Sequence, residues 1–137
     1  MAADTVATQV ILDGERLFIG KYTNISDGTG EAAVVKIDVS TLNKNSFGYA
    51  CNGVKINKLW AHTQGMAVDI LWDASTDVLC ETVPENQLYK MDYSCFGGLP
   101  NNASTGITGD VLFTTVGAAD KDRYTIILEC VKTYATS

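Results

Sequence analysis

Apolar and polar residues alternate with a period of two along several stretches of the chain. In residues 66–72, Met66, Val68, Ile70 and Trp72 share one parity and Asp69 lies on the other, and residues 124–130 alternate in the same way. Successive side chains of a β-strand point to opposite faces, so this pattern predicts half-buried strands. No stretch sustains the i, i+3, i+4, i+7 apolar spacing of a helix.

The central stretch, residues 54–83, is predicted to form two or three consecutive antiparallel strands. Gln64-Gly65 predicts a tight hairpin turn between the first two strands, because glycine readily adopts a positive φ. Residues 73–77 predict the next turn. Both tryptophans, Trp60 and Trp72, fall in this stretch. We therefore expect the rest of the chain to pack around it.

Further stretches have β-like composition, and segments rich in glycine and asparagine separate them. The predicted strands are residues 5–12, 16–25, 33–41, 110–116 and 123–133, residues 85–93 fit a short strand or a helical turn, and residues 42–53 and 94–109 are predicted loops. Phe47 and Tyr49 indicate that the first loop is ordered or contacts a partner. About seven to nine short strands with such turns predict an all-β domain, either a sandwich or a barrel, with little helix.

Length and charge narrow the class of protein. The chain has 137 residues, which suits a single domain over residues 1–137, with a loose N-terminal arm at residues 1–5. The formal net charge is −6 and the 10 basic residues are spread along the chain, so we expect no nucleic-acid partner. No run approaches the ~18 continuous apolar residues of a membrane span. The N-terminus lacks a secretory pattern, so we expect synthesis in a cytoplasm.

The four cysteines, Cys51, Cys80, Cys95 and Cys130, have no CxxC spacing, and the one histidine, His62, has no partner at a metal-ligand spacing. This spacing argues against a zinc site. Because the N-terminus lacks a secretory pattern, we also expect no disulfide framework. The apolar surroundings of Cys80 and Cys130 predict buried free thiols. Nearby glycines predict that Cys51 and Cys95 lie in loops and are more exposed.

Carboxylates concentrate around the predicted turn at residues 73–77, and they are Asp69, Asp73, Asp77, Glu81 and Glu85. Paired carboxylates can hydrolyse glycosides, but nothing in the spacing separates an acid from a base, which favours a solvated sheet face. Asp73, Ser75 and Asp77 alternate as calcium ligands do. The glycine at the sixth position of a calcium loop is absent, so we predict no metal site.

A histidine–cysteine pair and the two tryptophans are further candidates for a functional site. His62 with Cys51, Cys80 or Cys95 would make a base and a nucleophile, but no third, orienting residue can be named. Trp60 and Trp72 could stack on sugars, although core or subunit contact is the simpler interpretation, and the parity of Trp72 favours core. The sequence therefore predicts no catalytic, cofactor-binding or metal-binding residue and no enzymatic activity.

Several phrases in the chain resemble small virion structural proteins of tailed phages, of marine or cyanobacterial type. The resemblance covers most of the chain from about residue 34 onward and is carried by KINKLW (55–60), TQGM (63–66), LWDASTD (71–77), FGGLPNN (96–102) and GITGDVLFTTVG (106–117). It is a pattern of phrases rather than a catalytic motif.

This resemblance implies a jelly-roll-like β-sandwich that sits on the phage capsid surface as a decoration or cement protein. The implied partners are the major capsid protein and further copies of the chain, in a homotrimer, with no cofactor, no nucleic acid and no membrane. The two long loops and the N-terminal arm are the parts expected to reach a neighbour. The alternatives are a tail or neck component, a carbohydrate-binding module displayed on the virion, and an enzyme.

Overall fold

The computed structural model describes residues 5–134, and this part of the chain is built almost entirely from β-strands. Two single 3₁₀ turns, Val39–Thr41 and Ser94–Phe96, supply the only helical structure there. The all-β prediction is confirmed. The strands are β1 (Thr5–Asp13), β2 (Leu17–Asp27), β3 (Val34–Ile37), β4 (Cys51–Gln64), β5 (Ala67–Trp72), β6 (Val78–Val83), β7 (Leu88–Asp92), β8 (Val111–Val116) and β9 (Asp120–Tyr134).

The strands form two sheets that pack face to face as a jelly roll. The five-stranded sheet has the order β1-β2-β9-β4-β7 and the four-stranded sheet has the order β3-β8-β5-β6, with antiparallel pairing throughout. When β2 is counted as the first of eight strands, the sheets read 1-8-3-6 and 2-7-4-5. This is the order that two Greek keys produce in a jelly roll. β1 adds a fifth strand beside β2.

The core lies between the sheets and follows the alternation in the sequence. In β9, Tyr124, Ile126, Leu128 and Cys130 are buried, as their parity predicts. The predicted set in β5 is also confirmed, since Met66, Val68, Ile70 and Trp72 are each at most 1% exposed. Aromatic rings join the layers, because Phe113 of β8 meets Tyr22 of β2 at 5.5 Å and Tyr124 of β9 at 5.8 Å between ring centroids, both edge to face.

An ion pair that is almost fully buried joins β3 to the segment before it, and a hydrogen bond ties that segment to β9. Lys36 Nζ lies 2.6 Å from Glu31 Oε2, and the two side chains are 3% and 5% exposed. The Tyr124 hydroxyl donates to the other oxygen, Glu31 Oε1, at 2.6 Å. Both carboxylate oxygens therefore have a partner, which a buried charge requires.

The predicted hairpin at Gln64-Gly65 is wrong. β4 pairs with β7 and β9 in the five-stranded sheet, whereas β5 pairs with β6 and β8 in the four-stranded sheet. Gly65 does adopt the expected positive φ of 81°, but the turn carries the chain from one sheet to the other. Side-chain alternation determines which face of a strand is buried, but it does not determine which strand pairs with it. The two tryptophans are consequently separated, with Trp72 in the core and Trp60 on the outer face.

The predicted strand at residues 33–41 is too long. β3 ends at Ile37, because the Asp38 carboxylate caps a 3₁₀ turn by accepting from Ser40 N at 3.0 Å. Asp110 Oδ1 accepts from Val39 N at 3.0 Å and holds this turn against the start of β8.

The ambiguous segment at residues 85–93 contains a strand, β7. The predicted loop at residues 42–53 ends earlier than expected, where β4 begins at Cys51.

β1 occupies the predicted segment, but its parity changes along its length. Val6 pairs with Asn24 and Val10 pairs with Gly20, whose side of β2 faces the core. A register shift at residue 11 then places Leu12 opposite Ile19, on the outer face. The predicted shared face of Val6, Val10 and Leu12 is therefore broken. The predicted arm at residues 1–5 lies outside the described residues apart from Thr5, which begins β1.

Gly20 is predicted to be intolerant of a side chain, because buried aromatic side chains occupy the space around it. A Cβ atom there would lie 2.5 Å from Tyr22 Oη and 3.0 Å from Phe18 Cε2, both in buried side chains. We expect Gly20→Ala to lower the free energy of unfolding by about 1–3 kcal/mol through overpacking. Chemical denaturation measures this change.

Gly14→Ala is the matched control, because its Cβ atom would meet Leu17 O and Leu12 Cδ1 at ordinary distances of 3.6 and 3.9 Å. We expect it to change stability by less than about 0.5 kcal/mol. Equal losses in the two variants would contradict the packing argument.

Candidate interaction surfaces

Both long loops predicted from the sequence approach the same end of the sandwich. We call this end, formed by residues 42–50, 73–77 and 99–110, the loop end. Within this end, residues 73–77 and 99–110 are joined by backbone hydrogen bonds, from Asp73 N to Asp110 O at 3.1 Å and from Ser75 N to Thr105 O at 3.0 Å. The end of β9 lies here as well, because Cys51 pairs with Tyr134. The fold therefore brings together segments that lie far apart in the sequence.

At the loop end, residues 43–49 form a hydrogen-bonded turn that holds an aromatic ring in solvent. Asn45 Oδ1 accepts from Phe47 N at 3.0 Å and from Tyr49 N at 2.9 Å. The backbone closes the turn through Asn45 N to Tyr49 O at 3.1 Å and Gly48 N to Asn45 O at 3.0 Å. The Phe47 side chain is nonetheless 81% exposed. We call residues 43–49 the Phe47 platform.

A buried lysine fastens the platform to the rest of the fold. Lys132 Nζ donates to Asp13 Oδ1 at 2.6 Å, to Gly14 O at 2.9 Å and to Asn43 O at 2.8 Å. Its side chain has no exposed surface, and the three acceptors use all three donors of the ammonium group. One charge therefore joins β9, the β1–β2 turn and the platform.

The lysine stays charged in this position. Burial lowers the pKa of Lys132, but its interactions with the Asp13 carboxylate and the Tyr134 side chain together outweigh burial and raise the pKa above its ordinary value. Two further contacts join the platform to the β1–β2 turn. Asn43 N donates to Asp13 Oδ2 at 3.0 Å and Ser46 N donates to Glu15 Oε1 at 2.7 Å. The contact with Ser46 lowers the pKa of the Glu15 carboxyl.

A groove crosses the outer face of the five-stranded sheet. The register places five residues in one row from β1 to β7, namely Ala7, Thr23, Thr125, His62 and Leu88. Larger side chains flank this row, with Trp60 and Ile127 on one side and Ile25 and Arg123 on the other. Two cavities of about 260 and 190 Å³ lie along the row and share His62 and Thr125. We call this feature the outer groove.

The structure separates the carboxylates that the sequence brings close. Asp73 Oδ2 accepts from Thr108 Oγ1 at 2.7 Å and Asp77 Oδ1 accepts from Ala74 N at 3.2 Å. Glu81 accepts from the Tyr93 hydroxyl, and Asp69 lies between Thr82 and Thr114 in the four-stranded sheet. Within residues 5–134, no three His, Cys, Asp or Glu side chains are placed to hold a metal ion. These contacts are those of turns and a sheet face.

His62 lies on a different face of the sheet from the cysteines that pack in the core. His62 is exposed on the outer face, whereas Cys130 is buried in the core and Cys80 packs against it. Burial raises the pKa of the Cys80 thiol to about 12 and raises the pKa of the Cys51 and Cys130 thiols as well. A nucleophilic cysteine requires a lowered pKa.

The cysteine predictions are partly confirmed. All four thiols are free, Cys130 is buried and Cys95 is exposed, whereas Cys80, which was also predicted to be buried, is only partly buried. The prediction that Cys51 lies exposed in a loop is wrong, because Cys51 begins β4 and is 5% exposed. Gly53 near it occupies a strand rather than a turn.

Sequence reasoning singled out Phe47 but missed the lysine that anchors its platform. Lys132 has the same parity as Tyr124, Ile126, Leu128 and Cys130 and is a charged residue at a core-facing position of β9. A charged residue at a core-facing position indicates a buried charge that needs partners, and this could have been seen in the sequence. The outer groove carried no comparable signal, because its row consists of one residue from each of five strands.

Comparison with known proteins adds no relative from which a function could be transferred. The chain matches no model of a known protein family and no curated protein. Within residues 5–134, no helix is long and apolar enough to cross a membrane. The two surfaces, the fold and the resemblance in the sequence are therefore the grounds for proposing a function for this chain.

The buried thiols predict a loss of stability at alkaline pH. In the unfolded chain a cysteine has a pKa of about 8.5, whereas burial keeps Cys80 and Cys130 protonated in the folded protein. Above pH ~8.5 the unfolded state releases protons that the folded state retains, so each thiol lowers the free energy of unfolding by up to about 1.4 kcal/mol per pH unit. Urea denaturation between pH 7 and 10 measures the slope.

Cys130→Ala tests the assignment of this slope. The variant should start from a lower stability at pH 7, because it leaves a cavity. Its stability should then fall less steeply with pH than that of the wild type. Parallel pH profiles would show that the Cys130 thiol does not contribute.

Proposed function

We propose that this chain is a structural protein of a tailed-phage virion, a decoration subunit that binds the assembled head shell and stabilises it. The observation that carries the proposal is the Phe47 platform, which presents an aromatic side chain on a fixed backbone. The jelly roll supports it more weakly. That fold occurs in viral capsid proteins and also in lectins, so the fold alone does not select a function.

The platform suits attachment to another protein. An exposed aromatic ring that fills a pocket on a partner gains about 1.5–3 kcal/mol from burial. The hydrogen bonds of Asn45 and Lys132 fix the turn beforehand, so binding costs less conformational entropy. Tyr49 and Ile107, which are 41% and 47% exposed, add apolar surface at the same end. The partner in this proposal is the major capsid protein.

A shell offers many copies of one site, which makes modest contacts effective. Subunits that associate with each other as well as with the shell gain a high effective concentration for each further contact. The formal net charge of −6 suits subunits that remain soluble before attachment. Bridging neighbouring capsid proteins through such non-covalent contacts would raise the resistance of the head to internal pressure.

Phe47→Ser tests the platform. We expect it to weaken co-sedimentation with purified heads that lack this protein by about tenfold or more, since about 1.4 kcal/mol corresponds to one factor of ten. Stability should hardly change, because the ring contributes little to the core. Val116→Ser is the matched control, as Val116 is 49% exposed at the far end of β8, whose first residue, Val111, follows the loop end. Equal binding of both variants and the wild type would contradict the proposal.

The location of the chain in the particle separates head from tail. In a cryo-EM map of the intact virion, the proposal expects density distributed over the shell, with residues 43–49 facing a capsid subunit. Density confined to the tail or neck would instead support a tail component. Absence of the chain from the particle would contradict both the head and the tail assignment.

Trp60 favours a second candidate, a carbohydrate-binding module. Its indole is only half-buried and lines the outer groove with His62, Leu88 and Ile127. Thr23, Thr125 and Arg123 add polar groups along the same groove. An open aromatic face beside hydrogen-bonding side chains is an arrangement that can bind a sugar ring.

Fluorescence titration tests this candidate. In a Trp72→Phe background, emission reports on Trp60 alone, since the chain has two tryptophans. Binding of neutral hexasaccharides of glucose or N-acetylglucosamine should shift the emission to shorter wavelength, and Thr125→Phe, which would block the groove without adding a tryptophan, should abolish the shift. Unchanged emission with every sugar would count against the groove as a glycan site.

A further inference from the structure

β1 is an edge strand whose outer side has no partner in the described part of the chain. The sheet order ends at β1, which pairs with β2. Every residue from Thr5 to Leu12 is exposed. Four of these residues are large and apolar, with exposures of 43% for Val6, 57% for Val10, 50% for Ile11 and 42% for Leu12.

Three of the exposed residues point toward the core side of the sheet. Val6, Thr8 and Val10 lie opposite Asn24, Tyr22 and Gly20, which are all buried. We call Val6, Thr8 and Val10 the β1 inner row. Because partners in an antiparallel pair share a face, this row continues the core-facing surface of the five-stranded sheet. The four-stranded sheet covers β2 and leaves the inner row uncovered.

The edge lacks most of the devices that prevent pairing with another chain. Soluble proteins protect edges with lysine, proline, inward-pointing charges, bulges or short strands. Residues 5–12 contain no proline and no charged residue. The one bulge, at residue 11, lies beyond the inner row. Residues 5–10 therefore present a regular and uncharged ladder edge.

The sequence of this edge is complementary to itself. Thr8 lies at the centre of this segment, with Ala7 and Gln9 on either side of it. Val6 and Val10 lie one residue further out. An antiparallel copy turned about Thr8 places Val6 opposite Val10 and Thr8 opposite Thr8. Inner-row residues then meet inner-row residues, and cross-strand pairs of β-branched side chains stabilise a sheet. A two-fold interface requires this kind of self-complementarity.

We propose that two copies of this chain pair antiparallel through β1, about a two-fold axis at Thr8. The five-stranded sheets of the two copies then form one continuous sheet, and the inner rows of both copies form a shared apolar strip. The negative charge of the subunits does not oppose this contact directly. The nearest charged residues in the sequence, Asp4 and Asp13, lie on either side of residues 5–12, and the Asp13 carboxylate is held by Lys132 at 2.6 Å.

A second copy fits better than a strand from an unrelated protein. The partner strand must offer valines at both ends of a five-residue segment with a small polar residue at its centre, and β1 itself has that pattern. The contact also differs from a threefold arrangement, which would not bring Thr8 beside Thr8. The inference uses β1 alone and does not depend on the proposed attachment to a phage head.

A charge-exchange experiment tests the pairing. Sedimentation velocity on purified wild-type protein at about 1–100 µM should show a concentration-dependent dimer. Thr8→Lys and Thr8→Glu should each weaken the dimer by about tenfold or more, because like charges then lie directly opposite each other. An equimolar mixture of the two variants should recover dimerisation. Thr23→Lys on the neighbouring strand β2 is the control and should behave as the wild type.

Several results would overturn the proposal. They are a wild-type protein that stays monomeric throughout this range, a trimer, and a dimer that Thr8→Lys leaves intact. Loss of dimerisation in both variants without recovery in the mixture would exclude the register centred on Thr8. Circular dichroism and thermal unfolding of each variant establish that it is folded. Thr8 is exposed, so both substitutions should leave the monomer intact.

Discussion

The position of β9 between β2 and β4 is the constraint on which the rest of the structure depends. β9 is the last strand in the described chain and pairs along its length with strands that begin at residues 17 and 51. This pairing closes the jelly roll and places Tyr124, Ile126, Leu128 and Cys130 at the centre of the core. Such distant contacts carry a loop-closure entropy that the buried apolar surface must exceed.

The same strand links the core to the surface that we propose binds a partner. At its end, the Lys132 ammonium reaches three oxygen acceptors in two other segments. An unpaired ammonium in this position would be costly, so the acceptors must stay in place while the fold is intact. The Phe47 platform is thereby held by the interior of the protein, although its aromatic ring lies in solvent.

The molecule presents three surfaces that differ in character. The loop end offers an aromatic ring on a fixed turn, the outer groove offers an indole beside polar side chains, and β1 offers backbone groups and valines. The first suits a pocket on a protein, the second suits a sugar ring and the third suits another β-strand. The loop end is separate from the other two, and the outer groove and β1 share only the outward-facing side of β1, because strand pairing uses the edge and the inner row.

The sequence by itself determined the fold class, most of the strands and the buried face of β5 and β9, because side-chain alternation is a local property with a period of two. It also marked Phe47 as unusual for a loop. Tertiary structure alone decided that β4 and β5 belong to different sheets, that Trp60 and Trp72 are separated, and that β1 is uncovered. Strand partners depend on contacts between residues far apart in the chain, and alternation carries no information about which strand lies alongside another.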